Sequence, residues 1–189
     1  LMIDGMLANG IINSGALGQF PPALEELHGA SVQAAIISLY SLVGIFGKIF
    51  IGWINDKFGV VVSATYGCIM FGLAFVFMLL GQNTNMLYIM AVVFGFGNAI
   101  GTVIPPLVTS EVFGMEKYPE AYGMVNSATQ VGLSLGSLLV ASMYDLNGSY
   151  TLAWMLLLVL TAVTLFSWVG SCLAAKRYMA SDVELKQAQ

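Results

Sequence analysis

The chain has 189 residues, of which 58% are hydrophobic and only 8% are charged, and its formal net charge is −4. This composition, with a mean hydropathy of +0.86, lies far outside the range of soluble globular domains and predicts a protein that lives in a bilayer. A porin-like β-barrel is excluded as well, because its strands would give short alternating segments instead of long continuous apolar runs.

Charged residues divide the sequence into apolar stretches, and a helix needs about 20 apolar residues to cross the hydrocarbon core. The longest charge-free run, 58–110, can hold two helices, and the turn-like residues 81–85 in its middle mark the loop between them. The six predicted spans are, in chain order, 2–20, 32–54, 60–80, 86–109, 122–144 and 150–175. Residues 1–175 would then form a six-helix transmembrane bundle, followed by a cytoplasmic tail, 176–189.

The positions of the basic residues predict the orientation of the spans, because loops rich in Lys and Arg tend to stay in the cytoplasm. The basic residues outside the spans all fall on one face, namely Lys57, Lys117, Lys176, Arg177 and Lys186. His28 lies on the other face and is expected to be a solvated residue of an external loop. We therefore expect a multi-pass protein of the plasma (inner) membrane with both ends cytoplasmic. The first residue is Leu1, and no basic flank precedes span one, so the sequence shows neither a native start nor a signal peptide. It is therefore expected to be part of a longer protein.

An internal repeat relates the first three spans to the last three. A shift of 89 positions places four residues on residues of the same type, Asn9 on Asn98, Gly47 on Gly136, Asp56 on Asp145 and Gly59 on Gly148. Because each unit has an odd number of spans, the two units must be inverted in the membrane, as they often are in transporters. The predicted fold is therefore an all-α membrane protein built from two inverted three-helix repeats.

Polar residues inside the spans are unevenly distributed, and in lipid each must face a protein partner or a water-filled cavity. Spans three and six contain no Asn, Gln or charge in their interiors and are predicted to face lipid, while the other four line a polar path. The candidate substrate-binding residues on those four spans are Asn9, Asn13, Tyr40, Gly44, Lys48, Asn98, Asn126 and Gln130. For any single amide, the alternative role is an interhelical hydrogen bond, worth only about 0.6 to 2 kcal/mol.

Lys48 is the candidate that is hardest to explain by structure alone. It precedes Asp56 by eight residues, or about 12 Å along a helix. A lysine at the centre of a span costs roughly 2.5 to 3.5 kcal/mol, and no carboxylate in spans one, four or five is an obvious partner. The side chain could snorkel to the interface. The interpretation we favour is that it faces a cavity and binds an anionic substrate.

The segment that joins spans two and three contains the pattern G-x-x-x-D-K-x-G, formed by Gly52, Asp56, Lys57 and Gly59. Here the sequence resembles the major facilitator superfamily, whose hallmark loop has this spacing, although the valines 60–62 stand where further basic residues usually follow. The resemblance implies a gating role for the loop and alternating access between two six-helix halves. Asp56 is expected either to cap the start of span three or to face the start of span five and latch one conformation.

Further motifs resemble the oxalate/formate antiporter and monocarboxylate transporter group of that superfamily, namely 47–48, Pro105, 111–114, 122–123 and 145–150. The resemblance covers essentially the whole chain as a C-terminal six-helix half. It implies three partners: an N-terminal six-helix half, the lipid bilayer and a small organic anion. In that group an arginine at the position matching Lys48 binds the substrate carboxylate, and lysine keeps the charge without the bidentate fork.

The predicted function is secondary active transport of a small organic anion, as antiporter or symporter. A monocarboxylate is favoured because span five lacks the second cation that some oxalate carriers use. Two alternatives stay open: a proton-coupled exporter of drugs or other organic solutes, and a non-transporting membrane subunit. No nucleophile, base and orienting group occur together, and Cys68 and Cys172 lack metal-type spacing. Accordingly, no enzyme activity, catalytic residue, metal, cofactor or nucleic-acid partner is predicted.

Overall fold

The computed structural model describes residues 1–187, and the side chains of residues 1–178. Regular secondary structure in this part of the chain is entirely helical, which confirms the predicted all-α class. The helices are α1 (Met2–His28), α2 (Ala30–Phe58), α3 (Val60–Leu79), α4 (Thr84–Gly97), α5 (Ile104–Asn147) and α6 (Thr151–Gln187), with a 3₁₀ turn (Asn98–Gly101) between α4 and α5. Residues 188–189 of the predicted tail lie outside the described residues.

Single glycines make the sharpest breaks between helical segments. Gly29 (φ 82°, ψ 167°) separates α1 from α2, and Gly59 (φ 84°, ψ 173°) separates α2 from α3. Gly114 (φ 73°, ψ 162°) has nearly the same conformation and breaks α5. This combination of positive φ and extended ψ is open almost only to glycine. Helices α1 and α5 also extend beyond the predicted spans 2–20 and 122–144, because the apolar runs locate only the membrane-embedded part of each helix.

Four helical stretches of the described chain are long and apolar enough to cross a membrane, namely Ala30–Phe58, Val60–Leu79, Thr84–Asn147 and Thr151–Tyr178. The third covers α4 and α5 together and holds both the fourth and the fifth predicted span, with Gly114 between them. The more polar α1 is not among the four. The membrane-embedded helical fold is thus confirmed, whereas the count of six spans and the domain bounds stay predictions.

Contacts between helices define two ends of the bundle. At one, called here the Lys176 end, the first turn of α1 lies beside Lys117, and Lys176 Nζ lies 3.1 Å from Glu111 Oε1. At the other, called the Glu26 end, the last turns of α1 lie beside the α3–α4 and α5–α6 connections. Lys117 and Lys176, both predicted to be cytoplasmic, therefore lie at the same end of the molecule.

His28 is not the solvated loop residue that the sequence predicted. Its Nε2 lies 2.8 Å from the carbonyl oxygen of Gly81 and donates to it, and its Nδ1 lies 3.3 Å from Thr84 Oγ1. The half-buried ring therefore ties the end of α1 to the α3–α4 connection. The prediction failed because α1 continues through His28 instead of ending at residue 20.

The packing of the helices follows the 89-residue repeat. α1 packs on the second part of α5, α2 packs on α4, and α3 packs on α6. The repeat relates α1 to α4, α2 to the second part of α5, and α3 to α6. The pair of α1 and α5 therefore corresponds to the pair of α4 and α2, and the pair of α3 and α6 corresponds to itself, as expected of two related three-helix units. A Cβ on Gly47 would lie 2.8 Å from the Cα of Phe96, and one on the equivalent Gly136 would lie 2.9 Å from the Cα of Ile11. Equivalent glycines thus bring the backbones of both pairs together.

The exposed faces of α3 and α6 are apolar. On α3 they include Ile69 and Leu73, and on α6 they include Met155, Val159 and Phe166. Apolar side chains on the outside of a membrane bundle are suited to contact with lipid tails. The sequence predicted the same environment for spans three and six.

Candidate functional site

Two exposed faces of different chemistry run side by side along α2. Residues spaced alternately by three and four positions lie in one line along a helix. The polar stripe of α2 consists mostly of small or polar residues, Ala34, Ser38, Ser41, Ile45 and Lys48, all exposed. The neighbouring apolar face of α2 consists of the exposed residues Leu42, Phe46, Ile49 and Trp53.

The second part of α5 carries the same two faces at the positions that the 89-residue repeat predicts. The polar stripe of α5 consists of Gly123, Ser127, Gln130, Ser134 and Ser137, of which only Ser137 is half-buried. The neighbouring outward face consists of Val131, Leu135, Leu138 and Ser142, all exposed. The repeat therefore preserves the division of each helix into a polar and a mainly apolar side.

The two kinds of face call for different surroundings in a membrane. Apolar side chains suit lipid tails, whereas polar groups at membrane depth are normally covered by protein or lie beside water. Lys48 ends the polar stripe of α2 and is exposed. Within residues 1–178 it forms neither an ion pair nor a hydrogen bond. The polar stripe of α2 thus presents a positive charge that has no ion-pair partner among the described side chains.

A buried amide pair lies inside the bundle on α1. Asn13 Nδ2 donates to the carbonyl oxygen and to Oδ1 of Asn9, at 3.0 Å in both cases. Asn9 is fully buried, and its Nδ2 has no hydrogen-bond partner within the described residues. The Asn13 side chain lies against Gly101 of the 3₁₀ turn, because a Cβ on Gly101 would lie 2.9 Å from Asn13 Nδ2. These two amides therefore occupy packed interior where α1 meets the break between α4 and α5.

Asn98, Gly44 and Tyr40 lie at the contact between α2 and α4. A Cβ on Gly44 would lie 3.7 Å from Asn98 Nδ2, and the buried ring of Tyr40 meets Phe94 edge to face with centroids 5.1 Å apart. The sequence placed Tyr40, Gly44 and Lys48 on one face. Each four-residue step turns a helix by about 40°, so Tyr40 lies in the core while Lys48 is exposed.

Asn126 and Gln130 belong to the outer side of α5. Gln130 is exposed on the polar stripe, and Asn126, at the edge of that stripe, is half-buried. The structure thus separates the eight candidates into an outer group, Lys48, Asn126 and Gln130, and an inner group, Asn9, Asn13, Tyr40, Gly44 and Asn98. Contact of either group with a substrate stays a prediction.

Sequence reasoning missed a polar contact between α1 and α5. Gln19 Nε2 donates to Ser137 Oγ at 3.0 Å, and the Ser137 main-chain N–H donates to Ser14 Oγ at 3.2 Å. Ser137 is the residue that the repeat places on Lys48. The shift by 89 positions was therefore the signal that could have identified it. These bonds fix the register of α1 against the polar stripe of α5.

The G-x-x-x-D-K-x-G residues lie at the end of α2. Asp56 is exposed and makes no hydrogen bond to the start of α3, whose Ser63 Oγ instead donates to Asn55 Oδ1 at 3.4 Å. The start of α3 thus has no side-chain cap, so Asp56 does not fill the capping role, and its latching role stays a prediction. Lys57 Nζ lies 5.0 Å from the ring centroid of Trp53, a distance typical of cation–π contacts.

Comparison with known proteins gives matches over most of the chain. A family model described as Major Facilitator Superfamily matches residues 5–184. Monocarboxylate transporter 9 of Pongo abelii is 29% identical over 152 residues, which cover 73% of this chain and 29% of that protein. Monocarboxylate transporter 12 of Homo sapiens is 27% identical over 135 residues, which cover 68% of this chain and 26% of that protein. The chain therefore spans less than a third of the length of these relatives.

Proposed function

Since the chain belongs to the Major Facilitator Superfamily, we propose that it forms the C-terminal six-helix half of a secondary active transporter for a monocarboxylate. The family and the transporters that it matches identify it as part of a transporter and not as an enzyme. The protein is a multi-pass membrane protein, and we place it in the plasma membrane with both ends cytoplasmic. It moves its substrate by alternating access.

The observation that carries this proposal is the cation of Lys48, which is exposed and has no ion pair among the described side chains. A lone charge at membrane depth is costly, and a bound carboxylate offsets that cost more directly than a neutral solute does. A lysine offers a compact point charge and three donors without the planar fork of arginine. Lys48 is thus the anion ligand, and the amides of Asn126 and Gln130 complete the polar surface around the substrate.

The polar stripes of α2 and α5 support the second part of the proposal, a partner half. They lie on the two helices that the repeat relates, and all their residues are exposed except Ser137, which contacts α1. An N-terminal six-helix half seated against both stripes would remove their polar groups from lipid and enclose a central path. Asn9, Asn13, Tyr40, Gly44 and Asn98 shape the helix break behind that path, and Gly52, Asp56, Lys57 and Gly59 gate it.

Uptake of labelled formate, lactate and oxalate into proteoliposomes that hold the full-length parent tests the role of Lys48. We expect Lys48→Ala to lower lactate or formate uptake by about tenfold or more, which corresponds to about 1.4 kcal/mol of lost binding. Lys48→Arg should restore at least part of it. Ile49→Ala is the matched control, because Ile49 is the next residue and lies on the apolar face. Native uptake by Lys48→Ala would exclude Lys48 as the anion ligand.

A further inference from the structure

A cavity of about 240 Å³ opens at the Glu26 end of the bundle. Its walls come from α1, the α3–α4 connection and the segment from the end of α5 to the start of α6. The residues that define its chemistry are Glu26, Gln82, Tyr144, Tyr150 and Trp154. Every wall belongs to this half of the transporter, so the cavity does not depend on the partner half. It is smaller than the roughly 300 to 1,000 Å³ of drug-sized pockets and suits a small ligand.

One side of the cavity is an aromatic stack. The rings of Tyr144 and Tyr150 lie 4.3 Å apart with an interplanar angle of 25°, and Tyr150 stacks on Trp154 at 5.4 Å. Trp154 is buried and packs against Phe20 at 5.3 Å, which anchors the stack in the core. The stack therefore presents a fixed aromatic wall whose outermost ring, Tyr144, lies nearest the solvent.

The charge at this end is negative. Glu26 lines the cavity, and its carboxylate interacts with the hydroxyl of Tyr144. Asp145 follows Tyr144 directly, and no Lys or Arg occurs among the described residues that line the cavity. An anion, including the proposed substrate, is therefore disfavoured here. A metal ion is disfavoured as well, because no three His, Cys, Asp or Glu side chains within residues 1–178 are placed to hold one.

A carboxylate beside aromatic rings is the chemistry that recognises an organic ammonium ion. The ring faces attract the cation by about 0.5 to 2 kcal/mol, and the carboxylate supplies the opposite charge. We propose that this cavity binds a small organic ammonium ion of the size of choline, with Glu26 as its counter-ion and Tyr144 as its aromatic contact. The site is separate from Lys48 and binds a ligand of the opposite charge.

Calorimetric titration of the full-length parent with choline chloride, at constant ionic strength, tests this site. We expect saturable binding, and Glu26→Gln should weaken it by about tenfold or more. Glu25→Gln is the matched control, because the adjacent carboxylate does not line the cavity. Tyr144→Phe should keep the affinity within about twofold, whereas Tyr144→Leu should lower it, since only leucine lacks the ring.

Three results would overturn the proposal. The first is the absence of saturable choline binding to the native protein. The second is equal weakening by Glu26→Gln and Glu25→Gln, which would indicate general surface charge. The third is equal binding of the uncharged carbon isostere of choline, which would remove the need for a cation. Lactate uptake by the Glu26→Gln protein reports that the variant is folded, so that lost binding is not mistaken for lost structure.

Discussion

At the scale of single residues, the contact between Asn13 and Gly101 is the most restrictive in the polar interior. The three atoms nearest to a Cβ on Gly101 all belong to the Asn13 side chain, with Cγ at 2.7 Å. Because Asn13 also donates to Asn9, its amide cannot move away without losing those bonds. The 3₁₀ turn is therefore locked against α1 through one amide.

A double-mutant cycle measures this lock. Gly101→Ala should lower the melting temperature of the detergent-solubilised protein, because the new methyl group overlaps the Asn13 amide and overpacking costs about 1 to 3 kcal/mol. Asn13→Ala removes the overlapping amide, so the double variant should be less destabilised than the sum of the single variants by about 0.5 kcal/mol or more. Strictly additive effects would show that the two residues do not contact each other.

Individual residues also show where sequence reasoning succeeds. Lys48 was expected to face a cavity without a carboxylate partner; it is exposed and has no ion pair within the described side chains, and its place in a cavity stays a prediction. Tyr40 was placed beside it, but the rotation of the helix over eight residues takes that ring into the core against Phe94. The structural role of His28 could not be predicted, because its acceptor is a carbonyl group 53 residues away.

At the scale of helices, the tightest contact is the crossing of α1 and the second part of α5. A Cβ on Gly132 would lie 2.9 Å from the main-chain nitrogen of Ile11 and 3.0 Å from the Cα of Gly10. Both neighbours are backbone atoms, which cannot rotate away as a side chain can. Close backbone contact at small residues is a common basis of helix association in membranes.

Gly132→Ala should therefore destabilise the protein, while Gly170→Ala should not. Gly170 lies in α6, and a Cβ there would meet nothing within 4 Å. Alanine stabilises a helix relative to glycine by up to about 1 kcal/mol. The control variant should therefore keep or raise the melting temperature. Thermal unfolding in detergent checks both. A loss for Gly170→Ala equal to that for Gly132→Ala would contradict the packing described for α1 and α5.

The helix boundaries show what a hydropathy pattern omits. Each predicted span is largely helical, and Gly59 was already singled out in the segment that joins spans two and three. Gly29 and Gly114 were not recognised as breaks. The sequence contains 21 glycines, and nothing in it shows which of them adopt a positive φ. The 3₁₀ turn before Pro105 was missed for a similar reason, since it leaves the apolar run uninterrupted.

At the scale of the whole molecule, the two polar stripes define the side that the proposed partner half covers. Ser134 on the polar stripe of α5 and Leu135 on the neighbouring apolar face are adjacent in sequence, and both are exposed. Substitutions at these two positions therefore probe the surroundings of two different faces of the same helix turn. Lipid accommodates a larger apolar side chain, whereas a packed contact between two halves does not.

Ser134→Trp should abolish uptake by the full-length parent, and Leu135→Trp should leave it near the native level. The reason is that the indole on the stripe would separate the halves, while the one on the apolar face would project into lipid. Uptake into proteoliposomes, normalised to the amount of protein inserted, checks both variants. If Leu135→Trp were the inactive variant, Leu135 would lie against the partner half and Ser134 would face lipid, the reverse of what is proposed.

The contact between α1 and α5 also sets the order in which the protein becomes complete during its synthesis. Ser14 and Ser137, which hydrogen-bond to each other, are 123 residues apart. At about 5 to 20 residues per second, roughly 6 to 25 seconds separate the emergence of the two. Throughout that interval α1 exists without the helix on which it packs, with the Asn9–Asn13 pair still exposed. The packing of α1 into the bundle therefore has to wait until α5 has been synthesised.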